Sequence, residues 1–114
     1  MQSEQRKSQR FDLRLPMELI RRGPEPLAKS TETRNVSSGG VLFHSEGQMQ
    51  VGEPIEYFIT LPTSGRENMP VRLHCVGTVI RLESRQARTP KDRERPFAVA
   101  ATMERYEFVR IGRA

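Results

Sequence analysis

Two short polar segments of this chain carry residue types that can bind an anionic purine ligand. Near the start, Arg6 and Arg10 are spaced as R-x-x-x-R, and one strand later Asn35, Ser37 and Gly40 are spaced as N-x-S-x-x-G. Two guanidinium forks can grip phosphates and the O6 and N7 edge of guanine in bidentate fashion. An amide, a hydroxyl and a glycine turn offer further hydrogen-bond partners to the same ligand. Together, the segments favour binding of a small anionic purine over any reaction.

Each segment alone is a weak signal. The R-x-x-x-R spacing occurs three times in the sequence, at Arg6/Arg10, Arg10/Arg14 and Arg81/Arg85. Asn, Ser and Gly also crowd together in ordinary turns. The alternative explanation is structural, with residues 35–40 as only a β-bulge and turn and the paired arginines as a solvated tail. The combination is more informative, because an antiparallel meander can bring both segments to one rim of a barrel.

Composition limits the classes of protein that fit. A length of 114 residues indicates one domain, and 35% hydrophobic residues without tryptophan give it a lean core. The 16 arginines, against 3 lysines, and the net charge of +5 suit bidentate recognition of phosphate or base edges, although most basic residues of a small domain simply face water. The apolar runs are too short to span a membrane, and MQSEQRKSQR lacks the apolar region of a secretory signal.

No residue pattern indicates catalysis or a metal site. Cys75 is the only cysteine, which rules out an internal disulfide and fits a reducing compartment, so we expect a cytoplasmic protein. Its strand pattern points Cys75 inward as an inert core residue. We expect His74 to face solvent and His44 to lie near a strand end, neither beside an evident partner. The sequence therefore predicts no enzyme, no cofactor and no metal.

The hydrophobic pattern predicts an all-β fold. Half-buried strands are expected at residues 13–19, 27–36, 41–43, 55–61, 71–79 and 97–103. Pro16 indicates an edge strand or a bulge, and Gly77 a bend or bulge. Five or six short strands with regular turns are typical of a barrel or a sandwich, and a barrel removes exposed edges.

The remaining segments are less regular. Residues 1–12 are polar and charged and predict a flexible arm, which leaves residues 13–114 as a single domain. Residues 85–96 predict a long charged hairpin loop. Residues 104–111 fit either a strand extension or a short helix.

The two polar segments, in this order and separation, resemble those of the PilZ domain, the bacterial receptor module for cyclic di-GMP. Its hallmarks are an R-x-x-x-R arm and a [D/N]-x-S-x-x-G segment around the first strands, here Arg6, Arg10, Asn35, Ser37 and Gly40. The later strand pattern also fits, so the resemblance covers nearly the whole chain. It implies a six-stranded antiparallel β-barrel of the split-barrel type. Many members also have a C-terminal helix, which we expect to be short or absent here because the chain ends soon after the last predicted strand.

The resemblance also implies roles for these residues. Arg6 and Arg10 should bind phosphate and guanine, and Asn35 should reach a guanine edge. Ser37 should donate a hydrogen bond to a phosphate or a base. No cofactor is implied beyond cyclic di-GMP as the ligand.

Three further residues belong to the same expectation. Gly40, together with Gly39, should turn the backbone with positive φ and let it approach the ligand closely. Arg14 points outward beside the arm and is a further candidate contact.

The chain departs from the family pattern in two places. Asn35 stands where Asp is commoner, which removes one charged acceptor for guanine N–H groups and one negative charge near the phosphates. The last strand has Ala100, Ala101 and Met103 where members usually have a glycine followed by an aromatic residue, which affects packing more than binding.

The leading hypothesis is a non-catalytic receptor that binds cyclic di-GMP and signals to an unidentified protein partner as the arm becomes ordered. One alternative is a PilZ-like adaptor that binds no nucleotide and acts by protein contacts. Another is a small basic nucleic-acid-binding barrel, which is disfavoured because the aromatic residues fall at expected core or turn positions. We therefore expect no specific nucleic acid as a partner.

Overall fold

A computed structural model of the chain describes residues 11–62 and 71–110, so Arg6 and Arg10 lie outside the described residues. The elements in chain order are β1 (Pro16–Arg22), β2 (Glu25–Ser37), β3 (Gly40–Ser45), β4 (Pro54–Leu61), β5 (Val71–Ser84), α1 (Pro90–Glu94), β6 (Phe97–Thr102) and β7 (Arg105–Arg110). Within the described ranges no helix is long and apolar enough to cross a membrane.

Six of the strands close into a barrel. Each strand pairs with its neighbour in the order β1–β2–β3–β6–β5–β4, and β4 pairs again with β1, always antiparallel. The seventh strand, β7, pairs with β5 beside the barrel. The predicted all-β, six-stranded antiparallel barrel is therefore confirmed, with one additional strand.

The longest strand, β5, joins the two parts of the barrel. Its first half, residues 71–78, pairs with β4, and its second half, from Val79 onward, pairs with β6. The register against β6 shifts between Val79 and Arg81, so a bulge marks the change. A single strand can serve both sheets because such a bulge bends the strand and increases its twist.

The core consists of residues that alternate along the strands. Met17 and Leu19 of β1, Ile55, Tyr57 and Ile59 of β4, and Cys75 of β5 are all buried. The remaining buried hydrophobic side chains are Val41, Phe43, Met49, Leu73, Val79, Val99, Ala100 and Ala101.

The core contains two titratable side chains, Tyr57 and Cys75, and burial keeps both of them neutral. The Tyr57 hydroxyl donates a hydrogen bond to the carbonyl oxygen of Thr102 at 3.0 Å, and burial raises the pKa of Tyr57. Burial also raises the pKa of the Cys75 thiol to about 12. The expectation that Cys75 is a core residue is confirmed, because a fully buried thiol that stays protonated is a poor nucleophile.

Gly77 of β5 lies directly against the end of β6. A Cβ atom built on Gly77 would lie 1.8 Å from the carbonyl oxygen of Thr102, the same oxygen that accepts the Tyr57 hydroxyl. The Thr102 side chain completes the contact, since its Oγ1 accepts a hydrogen bond from the Thr78 amide at 2.9 Å. Only glycine fits at residue 77, because any side chain would separate the two strands.

We expect Gly77→Ala to lower the free energy of unfolding by about 3 kcal/mol or more, since the added methyl group displaces backbone atoms rather than a flexible side chain. Urea unfolding followed by circular dichroism measures this loss. Gly47→Ala is the matched control, because its Cβ would meet nothing within 4 Å. Equal stability of the two variants would contradict the close contact between Gly77 and the Thr102 carbonyl oxygen.

Two local predictions require correction, and one open alternative is resolved. β1 pairs on both sides and its bulge lies between Leu19 and Arg21, so the prediction that Pro16 marks an edge or bulge is wrong; Pro16 only begins the strand. The predicted loop at 85–96 contains the short helix α1. Of the two possibilities left open for 104–111, the strand forms, as β7.

Several aromatic residues also lie elsewhere than expected. Phe43 and Tyr57 are buried, but Phe11, Tyr106 and Phe108 are 54%, 56% and 67% exposed. Tyr106 and Phe108 pair across from Cys75 and Leu73, so they continue the core-facing side of β5 onto a strand that lies beside the barrel. Their rings meet edge to face with centroids 6.3 Å apart.

Candidate functional site

The β2–β3 turn brings the residues of the N-x-S-x-x-G segment together. Asn35 pairs across from Leu42 and Ser37 across from Gly40. The pair between them, Val36 and Val41, faces the core. Because neighbouring residues of a strand point to opposite faces, Asn35 and Ser37 project from the outer face of the barrel, next to Gly40.

Ser37 stabilises the turn itself. Its Oγ accepts a hydrogen bond from the Gly39 amide at 3.3 Å and lies 3.4 Å from the Gly40 carbonyl oxygen, to which it can donate. The Gly39 carbonyl accepts a hydrogen bond from the Met103 amide at 3.1 Å, just after β6. These long local bonds keep the hydroxyl at the outer face, where a stronger anionic acceptor could replace them.

Gly40 is required for a reason other than the one predicted. Its φ is not positive, so the expectation of a left-handed turn residue at Gly40 is wrong; among the described glycines, Gly23 and Gly52 have positive φ. A Cβ on Gly40 would instead lie 2.6 Å from the carbonyl oxygen of Ala101. The glycine allows β6 to pack closely against the turn.

The segment before β1 runs along β2 and ends beside this turn. Phe11 and Val36 exchange two backbone hydrogen bonds of 2.9 Å. Farther along, the buried Thr33 hydroxyl donates to the Leu13 carbonyl at 2.5 Å and accepts from the Leu15 amide at 2.9 Å. Residues 11 and 12, the last two of the predicted arm, are among the described residues, and Phe11 pairs with Val36 of β2.

We expect Thr33→Val to destabilise the fold by about 1–3 kcal/mol, because it leaves the Leu13 carbonyl and the Leu15 amide without their buried partner. Hydrogen exchange at the Leu15 amide should accelerate by more than the global loss of stability explains. Thr33→Ser keeps the hydroxyl and serves as the control. A serine variant as damaged as the valine variant would show that packing of the methyl group matters instead.

Arg14 lies in a different place from the turn, in a basic cleft on the same side of β2. The cleft has a volume of about 240 Å³ and is lined by Arg14, Thr31, Glu32, Arg34, His44, Arg85, Lys91, Asp92 and Arg95. We call it the basic cleft, because five of these side chains are cationic and two are anionic. Whether Arg14 also contacts a ligand at the turn stays a prediction.

The far wall of the basic cleft is formed by the connection that contains α1. The Thr89 side chain caps this helix by accepting from the Asp92 amide at 3.2 Å, and Pro90 begins it. Arg85 donates to the Asp92 carboxylate at 2.9 Å and to the Arg95 carbonyl at 2.6 Å. The Arg88 amide and Arg85 together lower the pKa of Asp92, so this carboxylate stays ionised and keeps the connection folded.

Arg95 joins the connection to the barrel, since its guanidinium donates to the Ser30 carbonyl of β2 at 3.2 Å. The cations of the connection are thereby positioned over His44, whose side chain lies on the outer face of β3. Burial, followed by repulsion from Arg85, Arg34 and Arg14, lowers the pKa of His44 to about 4, and Asp92 opposes this shift only in part. His44 is therefore neutral at pH 7.

The depressed pKa of His44 makes stability depend on pH. Between pH 6.5 and about 4 the unfolded chain binds a proton at His44 that the folded chain does not, so stability falls as pH falls through this window. After allowance for partial exposure, the loss is on the order of 1–2 kcal/mol.

We expect His44→Gln to remove this loss, since glutamine does not titrate. The measurement is the free energy of unfolding of both proteins at pH 7 and at pH 4.5. The two proteins share every carboxylate, so their difference isolates the histidine. A difference that does not change with pH would contradict the assignment.

Sequence reasoning did not identify Arg34, His44, Arg85 and Arg95 as one group. The sequence offered one local indication of this group, because Arg34 directly precedes Asn35 of the N-x-S-x-x-G segment. The others come from β3 and from the 85–96 connection, and only the folding of that connection onto β2 brings them together.

A second polar cluster lies on the outer face of β4, β5 and β7. His74 Nε2 lies 2.6 Å from Glu56 Oε2, and His74 Nδ1 lies 3.6 Å from Glu107, so the expectation that His74 has no carboxylate partner is wrong. The His74 ring also packs against Phe58 with centroids 5.0 Å apart. In the part of the chain that the structure describes, no three His, Cys, Asp or Glu residues are placed to hold a metal ion.

The fold and its outer face define a class of protein: a small closed β-barrel that presents a polar turn, a basic cleft and an N-terminal segment on one side. The sequence model of the PilZ domain matches residues 4–94, so the chain belongs to the PilZ domain family. Domains of this family are generally non-catalytic receptors for cyclic di-GMP. The match ends before β6 and β7. A search of curated proteins found no match to the chain.

Proposed function

We propose that this domain is a receptor for cyclic di-GMP that binds its ligand between the N-terminal arm and the β2–β3 turn. The observation that carries the proposal is the position of the arm's attachment. Phe11 pairs with Val36, between Asn35 and Ser37 along β2. Arg10 directly precedes Phe11 in the sequence, and consecutive Cα atoms are about 3.8 Å apart. The Arg10 side chain can therefore reach a ligand bound beside the Phe11–Val36 pair.

Reach also allows Arg6 to take part. Arg6 precedes Arg10 by four positions, which corresponds to at most about 14 Å of extended chain. The two arginines of the R-x-x-x-R segment can therefore contact one ligand placed over the outer face of the turn. Arg14, three residues after Phe11, is farther from the turn and adds positive charge from the side of the basic cleft.

The ligand chemistry matches these groups. Cyclic di-GMP has two phosphates and two guanines, and arginine forks suit both phosphate and the guanine O6 and N7 edge. The Asn35 amide can donate to or accept from a guanine edge, and Ser37 can donate to a phosphate. Gly40 and Gly39 leave the turn without side chains that would cover the ligand. Several charge-assisted contacts of about 1.5–3 kcal/mol each support an affinity of about 1 μM after the ordering cost.

The proposed output is a change in the arm. On binding, residues before Phe11 fold over the ligand and form a new surface on one side of the barrel, which a protein partner in the bacterial cytoplasm recognises. Trypsin cleavage at Arg6 and Arg10 should slow at least tenfold with saturating ligand. An unchanged cleavage rate would contradict this output step while leaving ligand binding intact.

We expect saturable binding of cyclic di-GMP in titration calorimetry, and no binding of GTP at the same concentrations. The Arg6→Ala/Arg10→Ala variant should lose at least a hundredfold in affinity, because it removes two charge-assisted partners. Arg21→Ala/Arg93→Ala removes the same charge from exposed positions outside both motifs, with Arg21 beside Pro26 at the opposite end of β2 from the turn, and should bind normally. No binding by folded wild-type protein would favour a nucleotide-silent adaptor that acts by protein contacts.

The exposed pair Tyr106 and Phe108 gives a nucleic-acid-binding barrel more support than the sequence did, because exposed rings can stack on bases. Binding of arbitrary single strands with a steep dependence on salt, lost in Tyr106→Ala/Phe108→Ala, would favour that function instead.

A further inference from the structure

We infer that the basic cleft is a second anion-binding site, which takes a phosphoryl group and is separate from the turn at Asn35–Gly40. This inference does not depend on recognition of cyclic di-GMP. It depends on the charges, partners and size of the cleft, which the sequence motif does not include.

The first argument is uncompensated charge. Most arginines whose side chains contact another described residue pair with a carboxylate, as in Arg21–Glu56, Arg22–Glu53, Arg72–Glu18, Arg81–Glu83 and Arg85–Asp92. Arg14 and Arg34 line the cleft, and among the described residues neither lies within 4 Å of a carboxylate oxygen. Two guanidinium groups facing one cleft without a counter-ion favour an external anion.

The second argument is preorganisation. Arg85 is fixed by its bonds to Asp92 and the Arg95 carbonyl, and Arg95 by its bond to the Ser30 carbonyl. Their positions are thus set by the α1 connection before any ligand arrives, and an anion that binds between them and Arg34 needs to order few side chains. Lys91 adds another positive charge at the rim, whereas Glu32 and Asp92 reduce but do not cancel the positive field.

The third argument concerns His44. The groups that face it are Arg14 from the segment before β1, Glu32 and Arg34 from β2, and Arg85, Lys91, Asp92 and Arg95 from the α1 connection. A bound anion would offset the repulsion from the arginines and favour the protonated ring, so binding at a pH near the free pKa of about 4 should be accompanied by proton uptake. His44 is then both a donor to the anion and a reporter of its presence.

The size of the cleft limits the ligand. A volume of about 240 Å³ is below the range of about 300–1,000 Å³ that is typical of drug-sized ligands. Its lining is mostly charged, which suits a phosphate or pyrophosphate group better than a base. The group could be a free phosphoryl anion, or a phosphate of a nucleotide whose bases lie toward the turn.

The test uses the full chain with inorganic phosphate and pyrophosphate as probes, at fixed ionic strength. Nuclear magnetic resonance follows the ring protons of His44 during the titration and determines its pKa with and without pyrophosphate. We expect saturable shifts at His44 and a pKa that rises by at least one unit in the complex. His44→Gln identifies the histidine signal.

Variants test the assignment of the cleft. Arg34→Gln should weaken pyrophosphate binding about tenfold or more, and Arg14→Gln/Arg34→Gln further still. Neither side chain bonds another described residue, so both variants should fold normally. Arg105→Gln removes the same charge on β7 and should bind as the wild type does. Absence of saturable shifts, or equal weakening by Arg105→Gln, would overturn the inference.

The source of the phosphoryl group is resolved by a second titration. If Arg6→Ala/Arg10→Ala binds pyrophosphate normally and pyrophosphate does not affect cyclic di-GMP binding to the wild type, the site takes a free anion. If pyrophosphate competes with cyclic di-GMP, or lowers its stoichiometry, the cleft binds a phosphate of the nucleotide. Both results support the site, and pyrophosphate binding by the Arg6→Ala/Arg10→Ala variant does so even if cyclic di-GMP proves not to bind.

Discussion

Closure of this barrel depends on the contact between Gly77 of β5 and the Thr102 carbonyl at the end of β6. A Cβ on Gly23, Gly40, Gly47 or Gly52 would lie farther from any backbone atom. The same carbonyl accepts the hydroxyl of the buried Tyr57, so one oxygen links β4, β5 and β6. The contact allows β5 to leave β4 and pair with β6 within one strand. The positions of the turn and the cleft also depend on this closure. Both involve β3, which pairs with β2 on one side and with β6 on the other.

The two polar regions of the outer face are positioned by different means. The turn is held by short-range bonds at Ser37 and by β6, which packs against Gly40. The basic cleft depends on a connection 12 residues long that folds back onto β2 through Arg95. Thr33 relates the two regions, since its hydroxyl attaches residues 13 and 15, which flank Arg14, to the same strand that contains Asn35.

Much of the fold could be predicted because its signals are local. Alternation at Ile55, Tyr57 and Ile59, and at Leu73 and Cys75, identifies the inward side of two strands. The strand at 104–111 was ambiguous because an outlying edge strand that is exposed on both faces shows no alternation of burial. The helix α1 was missed although Thr89, Pro90 and Asp92 are local capping signals.

For the site, the sequence identified Asn35, Ser37 and Gly40 as a group, and the turn brings them together. It could not explain Gly40, because the atom that requires glycine there belongs to Ala101, about 60 residues later in the chain. The basic cleft could not be predicted for the same reason: repulsion at His44 comes from Arg14, Arg34 and Arg85, which lie on three separate segments.

The shared strand β5 has a consequence for how the domain opens. Because half of β5 belongs to each sheet, neither sheet can separate from the other without breaking the strand that both need. The described barrel should therefore unfold as one cooperative unit, with independent fraying confined to β7 among the described strands. A ligand that contacts only the outer face of β2 and β3 then stabilises every part of the barrel equally, by mass action on a single transition. Occupancy of that face can be followed by amide exchange at any core residue, including those on the opposite wall.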